Sequence, residues 1–355
     1  MSSRFFSPDL SALKPYTPGE QPRNIGNLIK LNTNESPFPP SPKVIEALSS
    51  TEVSRLQLYP DPSCAALVKS ISDFYGVSPE QVMVGNGSDE VLAFCFRGLC
   101  PNGAAFADIT YGFYSVFCDM FGITPHIVPL QSDLSIDIGD YAGEKATVFI
   151  ANPNAPTGMY LPLSDIAALC AQDPDRLVVV DEAYIDFGGE SAVFLLEKYD
   201  NLLIVQTFSK SRQLAGGRLG FAIGSKELIA DLNALKFSFN PYSINRLTLL
   251  AGIAAMDDRE YFDKTRAEVI KNRTELTDSL RSLGFRVFDS KTNFVFAGHP
   301  ALSGADYYAS LRDKGILVRY FPGERTGQYV RITVGSAEQV RALINASEEI
   351  IKRRA

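Results

Sequence analysis

Two short apolar runs in the middle of the chain, Leu177–Val180 and Leu202–Val205, constrain the fold more than any other feature. Each run consists of four branched or aliphatic residues without polar alternation, which is typical of a strand buried on both faces of a parallel sheet. Asp181 follows the first run directly, and Lys210 follows the second run after a few residues. Because ligands bind at the carboxyl ends of parallel strands, the sequence predicts that Asp181 and Lys210 face one site.

The order of elements indicates the fold class. Strand-like and helix-like segments alternate from about residue 42 to residue 224, which favours an α/β fold with a mostly parallel sheet wrapped by helices. One long helical region is expected over residues 245–283. Beyond it, short strands and two helices predict a compact α+β unit, and 355 residues suffice for one large core with a smaller appended domain.

Asp181 and Lys210 each have an ordinary explanation as well. A lysine after a strand is often an exposed loop residue, and an aspartate there often caps a helix. A buried lysine, however, loses its hydration, and the neutral amine is the form that condenses with an aldehyde. Pyridoxal phosphate needs such an amine and a carboxylate that keeps its ring nitrogen protonated. The pair therefore points to a pyridoxal phosphate site.

Two segments predict a site for the phosphate of such a cofactor. A strand at Val82–Val84, a tight turn at Gly85–Ser88 and the helix that follows would present free amides and a helix dipole to an anion. Ser209 and Arg218 lie on either side of Lys210 and add a hydroxyl and a guanidinium group. Glycine-rich turns before helices are common, so the turn is weak support by itself.

In their order along the chain, these motifs resemble the fold-type I pyridoxal phosphate aminotransferases, and within them the histidinol-phosphate aminotransferases. The resemblance runs from about Tyr16 to the final helix. The motifs that carry it are Leu31-Asn-Thr-Asn-Glu-Ser-Pro37, Tyr59-Pro-Asp-Pro62, Gly87-Ser-Asp-Glu90, Asn152-Pro-Asn-Ala-Pro-Thr-Gly158, Val180-Asp-Glu-Ala-Tyr184 and Arg331-Ile-Thr-Val-Gly335. The resemblance implies a seven-stranded, mostly parallel central sheet with a smaller α+β C-terminal domain.

The same resemblance implies roles around the cofactor. Lys210 would form the Schiff base and move the proton, Asp181 would pair with the pyridine nitrogen, and Tyr184 would bind the phenolic oxygen. The other implied contacts are Tyr111 stacked on the ring, Ser88, Asp89, Ser209 and Arg218 around the phosphate, and Tyr59 at the phosphate of a neighbouring subunit.

One position departs from the family pattern. The family usually carries an asparagine directly before Pro-Thr-Gly, where its side chain contacts the phenolic oxygen, but this chain has Ala155. Asn154 or Asn152 could supply the missing contact after a small backbone shift, and Asn154 is the candidate cofactor ligand. Alternatively, Tyr184 carries the contact alone.

Two arginines form the candidate substrate site. Arg331 lies in a predicted strand and Arg319 ends the preceding one, so their planar, bidentate groups could meet at one anion. Exposed charges at strand edges are the alternative. The resemblance implies that Arg319, Arg331 and Tyr16 bind the substrate phosphate, and that glutamate uses the same arginines through its carboxylates.

The implied reaction is a ping-pong amino transfer. L-Histidinol phosphate and 2-oxoglutarate would exchange an amino group with imidazole acetol phosphate and L-glutamate, a step of histidine biosynthesis. Alternatives of the same fold are an aromatic amino acid transaminase and a threonine-phosphate decarboxylase, and one of another class is a non-catalytic, cofactor-binding regulatory protein.

The resemblance also implies a homodimer with shared active sites. The expected domains are an N-terminal arm of residues 1–35 associated with the small domain, a large cofactor-binding domain of residues 36–245, and residues 246–355 as the helical connection and the small domain.

Composition excludes several classes of function. The net charge of −7 argues against nucleic acid or an anionic membrane as a partner. Five cysteines without a Cys-x-x-Cys pair and two distant histidines argue against a metal centre and fit a reducing compartment. The N-terminus has no apolar segment typical of a signal peptide, and no run of about 18 apolar residues occurs, so we expect a cytoplasmic protein.

Overall fold

The computed structural model of this protein describes residues 7, 10, 13–21, 28–48 and 51–353. Its strands are β1 (Ile29–Lys30), β2 (Val82–Gly85), β3 (Ala104–Ala107), β4 (Pro125–Val128), β5 (Thr147–Ala151), β6 (Val178–Asp181), β7 (Leu202–Thr207), β8 (Gly220–Ile223), β9 (Arg286–Val287), β10 (Phe294–Gly298), β11 (Ile316–Leu317), β12 (Arg319–Tyr320) and β13 (Val330–Thr333). Its helices are α1 (Pro42–Leu48), α2 (Ala65–Tyr75), α3 (Ser88–Leu99), α4 (Phe113–Phe121), α5 (Leu163–Gln172), α6 (Lys226–Phe239), α7 (Arg246–Asp257), α8 (Arg259–Ser282), α9 (Gly304–Asp313) and α10 (Ala337–Lys352). None of the helices among the described residues is long and apolar enough to cross a membrane.

Seven strands form the large sheet, in the order β2-β8-β7-β6-β5-β3-β4. Strand β8 runs antiparallel to both of its neighbours, whereas the other pairs in the sheet are parallel. This arrangement confirms the mostly parallel sheet predicted from the order of elements and the seven strands implied by the resemblance. It also places the carboxyl ends of β6 and β7 next to each other at one edge.

The apolar runs form the centre of this sheet because both of their faces are covered. Val178 and Val180 pack into one hydrophobic core, and Val179 packs into a second core on the opposite face. All three side chains are fully buried. Apolar residues at every position are therefore required here, since alternation would place polar groups in one of the two cores.

A second, four-stranded antiparallel sheet forms from the C-terminal part of the chain, in the order β12-β13-β10-β9. It shares a core with α8, α9 and α10. The N-terminal segment joins this part of the molecule, because β1 pairs in parallel with β11. The domain limits given above stay a prediction.

The structure corrects three details of the expected elements. The helical region 245–283 is interrupted at Asp258, whose backbone is not helical and whose carboxylate accepts the N–H of Tyr261 at 3.4 Å, so a new helix starts there. The strand that Arg319 was expected to end is divided, because β11 pairs with β1 while β12, which starts at Arg319, pairs with β13. Strand β8 and helix α6 were not predicted, although Ser225, which caps α6, is a recognisable start signal.

Candidate active site

Asp181 and Lys210 both lie at the carboxyl edge of the large sheet. Asp181 is the last residue of β6, and Lys210 stands in the turn three residues after β7. Asp181 is 5% exposed, and its carboxylate accepts hydrogen bonds from the Tyr114 hydroxyl at 3.0 Å and from the Ala183 amide at 3.2 Å.

Burial raises the pKa of Asp181 from 3.8 to about 6, although these two hydrogen bonds and the charge of Lys210 oppose the shift. A carboxylate that is costly to ionise in isolation is stabilised by a cation beside it. The Asp181 site therefore fits a protonated pyridine nitrogen.

Lys210 lies among aromatic and acidic side chains. Its ammonium group is 5.6 Å from the ring centroid of Tyr184. Burial opposes ionisation of Glu35, but hydrogen bonds from Lys30 and Thr33 and the charges of Lys30 and Lys210 hold the pKa of this carboxyl below its usual value. Lys210 thus has a carboxylate nearby in addition to Asp181.

The hydroxyl of Tyr184 is hydrogen-bonded to Asn34, which in turn contacts a strand of the small sheet. The Asn34 amide donates to the Tyr184 hydroxyl oxygen at 2.9 Å, and Asn34 itself is 1% exposed. Thr333 of β13 donates its hydroxyl proton to the Asn34 side chain at 3.1 Å. These contacts connect the end of β6 to the strand that also carries Arg331.

The turn between β2 and α3 forms a cradle for an anion. Gly87 has φ 82°, a conformation that favours glycine, and a β-carbon there would lie 2.7 Å from the Arg218 guanidinium. Helix α3 starts at Ser88 and presents its free amides and dipole to the same space. This geometry fits a bound anion, and the assignment of the turn to a phosphate stays a prediction.

Two side chains of this cradle already have partners in the protein. The Asp89 carboxylate accepts from the Tyr111 hydroxyl at 2.7 Å and from Arg218 at 3.3 Å. Ser209 is buried, and its hydroxyl accepts a hydrogen bond from Thr207 at 3.0 Å. The carboxylate of Asp89 thus positions Tyr111 and Arg218, while its backbone amide belongs to the first turn of α3.

Both asparagines near Ala155 use their side chains inside the loop. The Asn154 amide donates to the Ile109 carbonyl at 3.0 Å and to Thr157 at 3.2 Å, and its oxygen accepts from Thr110 at 2.9 Å. The Asn152 side chain bonds in both directions with the backbone of Leu161. Neither asparagine is free to take over the contact without breaking these bonds.

Arg319 and Arg331 lie directly opposite each other in the β12–β13 ladder, so their side chains share one face of the small sheet. The Phe321 ring centroid lies 5.6 Å from the Arg319 guanidinium carbon and 5.4 Å from that of Arg331. Burial lowers the pKa of Arg331, and the charge of Arg319 contributes to the shift. Among the described residues no acceptor is within reach of Arg331 Nε. Two close cations with an unused buried donor fit a bound anion.

Tyr16 lies beside these arginines. Its ring stacks on Phe113 at a centroid distance of 4.3 Å, and its hydroxyl is close enough to Arg331 to oppose the lowering of that residue's pKa. Arg319 donates to the carbonyls of Thr17 at 3.1 Å and Pro18 at 3.3 Å, which holds the segment carrying Tyr16.

The structure gathers the expected site residues except one. Tyr59 is 76% exposed, and its ring stacks on Tyr242 at 4.5 Å on the outer surface. Sequence reasoning assigned no role to Tyr114, Asn34 or Phe321. A signal existed for Tyr114, which follows Tyr111 by three residues at the start of a helix, and for Asn34 within a recognised motif, whereas nothing near Phe321 in the sequence distinguished it.

Comparison with known proteins was consistent with this geometry. The chain matches the aminotransferase class I and II family over residues 26–346. It is 50% identical over 351 residues to histidinol-phosphate aminotransferase 1 of Bradyrhizobium diazoefficiens, covering 98% of this chain and 100% of the relative. It is 48% identical to the histidinol-phosphate aminotransferase of Brachyspira hyodysenteriae, with 98% and 99% covered. The solved structure of histidinol-phosphate aminotransferase from Sinorhizobium meliloti in complex with pyridoxal-5'-phosphate has the same fold, with a TM-score of 0.88 at 24% identity and 100% and 99% covered.

Proposed function

Since this chain belongs to the class I and II aminotransferases, in the histidinol-phosphate aminotransferase family, we propose that it transfers an amino group between L-histidinol phosphate and 2-oxoglutarate. The products are imidazole acetol phosphate and L-glutamate, and the cofactor is pyridoxal 5'-phosphate. The close relatives carry the name of this reaction, which supports it over an aromatic amino acid transaminase, a threonine-phosphate decarboxylase or a non-catalytic regulatory protein.

The observation that carries the substrate class is the arginine pair. Arg319 and Arg331 are adjacent on one face of the small sheet, and Tyr16 lies beside them. A dianionic phosphate matches two guanidinium groups and a hydroxyl, because bidentate, charge-assisted hydrogen bonds are strong and directional. Each carboxylate of glutamate can use the same donors in the other half-reaction.

Residues at the edge of the large sheet fit the cofactor. When bound, pyridoxal 5'-phosphate supplies an electron sink for the negative charge that develops at the substrate α carbon. Asp181 would hold the ring nitrogen protonated, and the α3 N-terminus with Ser88, Ser209 and Arg218 would bind the phosphate. Tyr111 would cover the ring face. The buried Asp181 carboxylate and the Gly87 cradle support this assignment.

Lys210 would act as both base and acid. With the cofactor bound, the Lys210 amine would hold it covalently and would take up and return the proton of the substrate α carbon. The position of Lys210 at the edge of β7, with Asp181 and Glu35 nearby, supports that role. The same set of residues serves both halves of the ping-pong cycle.

We further propose a homodimer in which Tyr59 completes the partner's phosphate site. Tyr59 is 76% exposed and stacks on Tyr242, which is also exposed. Two adjacent exposed aromatic rings are compatible with a contact to a second subunit. The five free cysteines support a reducing compartment, and we propose the cytoplasm as the location.

Substrate kinetics test the proposed reaction. Purified protein loaded with cofactor is assayed for amino transfer from histidinol phosphate and from phenylalanine to 2-oxoglutarate, and for release of CO2 from threonine phosphate. We expect kcat/KM to be highest for histidinol phosphate and to fall at least about 100-fold in Arg319→Gln, because one charge-assisted pair at the phosphate is lost. The absence of turnover with histidinol phosphate contradicts the proposal.

Subunit mixing tests the dimer. Lys210→Ala and Tyr59→Phe subunits are refolded together, and activity is compared with each variant alone. If Tyr59 acts on the partner's site, a mixed dimer contains one site with both native residues, so activity rises above that of either variant. No gain over the separate variants contradicts a shared site.

A further inference from the structure

The hydroxyl of Tyr184 is oriented by a side chain outside its own segment. Asn34 Nδ2 donates to the Tyr184 oxygen at 2.9 Å. Since that oxygen accepts a hydrogen bond from Asn34, the hydroxyl proton of Tyr184 remains available to another acceptor. No such acceptor is found for it among the residues that the structure describes.

Thr333 contacts Asn34 through both its backbone and its side chain. The Asn34 backbone amide donates to the Thr333 hydroxyl oxygen at 3.0 Å, and the Thr333 hydroxyl donates to the Asn34 side-chain oxygen at 3.1 Å. With its oxygen facing Thr333, Asn34 presents its NH2 group to Tyr184.

The backbone of Asn34 is fixed as well. Asn293 donates to the Asn34 carbonyl at 3.0 Å, and Asn34 has φ 55°, a left-handed conformation that asparagine adopts more readily than most residues. The side chain is 1% exposed. Asn34 thus has one available orientation, and the chain holds it there from two sides.

The contact matters because this chain has Ala155 where a donor to the cofactor's phenolic oxygen is usual. The amide groups of Asn152 and Asn154 are both engaged inside their loop. Tyr184 is then the hydroxyl donor left for that oxygen. A hydroxyl that accepts one hydrogen bond donates a stronger one, because hydrogen bonds in a chain polarise one another.

We propose that Asn34, fixed by Thr333, is a positioning residue that directs and polarises the Tyr184 hydroxyl towards the phenolic oxygen of the cofactor, in compensation for Ala155. This inference rests on the proposed cofactor but not on the proposed substrate. Asn34 acts through Tyr184, whose hydroxyl oxygen it contacts directly.

The role can be measured in the cofactor-bound protein by the pH at which the Lys210 nitrogen, once joined to the cofactor, loses its proton. The loss of this proton changes the visible absorption, and its midpoint is the measured quantity. Loss of the proton leaves more negative charge on the neighbouring phenolic oxygen, and a donor to that oxygen stabilises this state. A strong Tyr184 donor therefore lowers the pH midpoint of the visible absorption change. Weakening the donor raises the midpoint.

The test compares Asn34→Gly and Asn34→Asp with the native, cofactor-bound protein. Glycine removes the amide without straining the left-handed backbone, and aspartate keeps the shape but replaces the donor by an acceptor. We expect the midpoint to rise by about 0.5 to 1 pH unit in Asn34→Gly and by more in Asn34→Asp, because the acceptor draws the Tyr184 proton away.

Double variants separate this route from a general effect of charge or packing. In a Tyr184→Phe background, Asn34→Gly is expected to produce no further shift. Asn272→Ala is the matched control, since Asn272 is also 1% exposed and its amide donates to the Gly335 carbonyl at 3.2 Å. We expect that control to lower the melting temperature and leave the midpoint unchanged.

Two outcomes overturn the proposal: an unchanged midpoint in Asn34→Gly, or the same shift with and without the Tyr184 hydroxyl. If Asn34→Gly does not fold, Thr333→Val carries the test, with a smaller upward shift expected and no shift counting against the proposal. A native protein that shows the titrating band but no turnover of histidinol phosphate contradicts the proposed substrate alone. A native protein without the band contradicts the proposed cofactor.

Discussion

Asp181 shows what burial does to a single charged residue at this site. Its carboxyl has a pKa of about 6 because it is desolvated, and two hydrogen bonds and the charge of Lys210 only partly offset that effect. The ionised carboxylate of Asp181 is therefore unfavourable by itself, and a cation beside it would stabilise it. The same burial would favour a protonated ring nitrogen as the partner of this carboxylate in the proposed site.

The pH dependence of stability checks this view of Asp181. In the cofactor-free protein the folded state holds the proton up to about pH 6, whereas the unfolded chain releases it near pH 3.8. The folded state therefore binds more protons in this window, so the free energy of unfolding falls as the pH rises from about 4 to 6. We expect Asp181→Asn to flatten this decline in urea unfolding.

Glu182→Gln is the control for the pH dependence of the free energy of unfolding. Burial raises the pKa of Glu182 to about 7, so it causes a decline of the same sign at slightly higher pH, and Glu182→Gln should flatten that part of the curve instead. An Asp181→Asn protein with the full native decline between pH 4 and 6 would show that the carboxyl is not the titrating group.

Lys210 carries the covalent part of the proposed chemistry. We expect Lys210→Ala to lose the visible band that borohydride fixes in the native protein, and amino transfer to fall at least about 10³-fold, because the same amine serves as base and acid. Lys226→Ala, an exposed lysine 3.8 Å from Glu80, is the control and should behave as native. A band that survives in Lys210→Ala would remove this residue from its role.

At the scale of elements, the close approach of β8 to the first turn of α3 shapes the anion cradle. A β-carbon at Gly220 would lie 2.3 Å from the amide nitrogen of Ser88 and 2.6 Å from the carbonyl carbon of Gly87. Neither atom can move without displacing the turn, since both belong to the backbone. Glycine is therefore required at this position by contact rather than by its dihedral angles.

Gly220→Ala tests whether that approach positions the phosphate site. We expect the cofactor to bind at least about 10-fold more weakly, which corresponds to about 1.4 kcal/mol, because the amides of the cradle are displaced. Gly216→Ala is the matched control in the same segment, as a β-carbon there would meet no atom within 4 Å among the described residues. Equal cofactor affinity in both variants, measured by fluorescence titration, would contradict the prediction.

At the scale of the whole molecule, Arg325 joins the two sheets. It lies in the loop between β12 and β13, pairs with Asp108 at 2.8 Å and donates to the carbonyls of Leu130 and Gln131 after β4. The same loop carries Phe321, whose ring lies against both Arg319 and Arg331. Arg325 thus sets the distance between the arginine pair and the edge that carries Lys210.

Arg325→Gln tests this link between the sheets. We expect KM for the phosphate substrate to rise about 10-fold with little change in kcat, because a mispositioned loop weakens ground-state and transition-state binding alike. Arg281→Gln, which removes a peripheral pair with Asp289 at 2.7 Å, is the control and should leave KM unchanged. A fall in kcat at constant KM would assign Arg325 a different role.

The sequence by itself determined the parts of this protein that depend on local pattern. Uninterrupted apolar runs require a strand buried on both faces, so the central sheet and the placement of Asp181 and Lys210 at its edge could be predicted. The turn at Gly87 and the strand positions of Arg319 and Arg331 were also visible as local patterns.

Only the tertiary structure decided which side chains meet across long separations in sequence. Asn34 reaches Tyr184 across 150 residues and Thr333 across 299 residues. No periodicity encodes such a contact, because its geometry depends on how β13 and the end of β6 approach each other. The hydrogen bonds of Asn154 with Ile109 and Thr110 are also contacts between distant parts of the chain. Because they occupy the Asn154 side chain, Tyr184 is the residue left to compensate for Ala155.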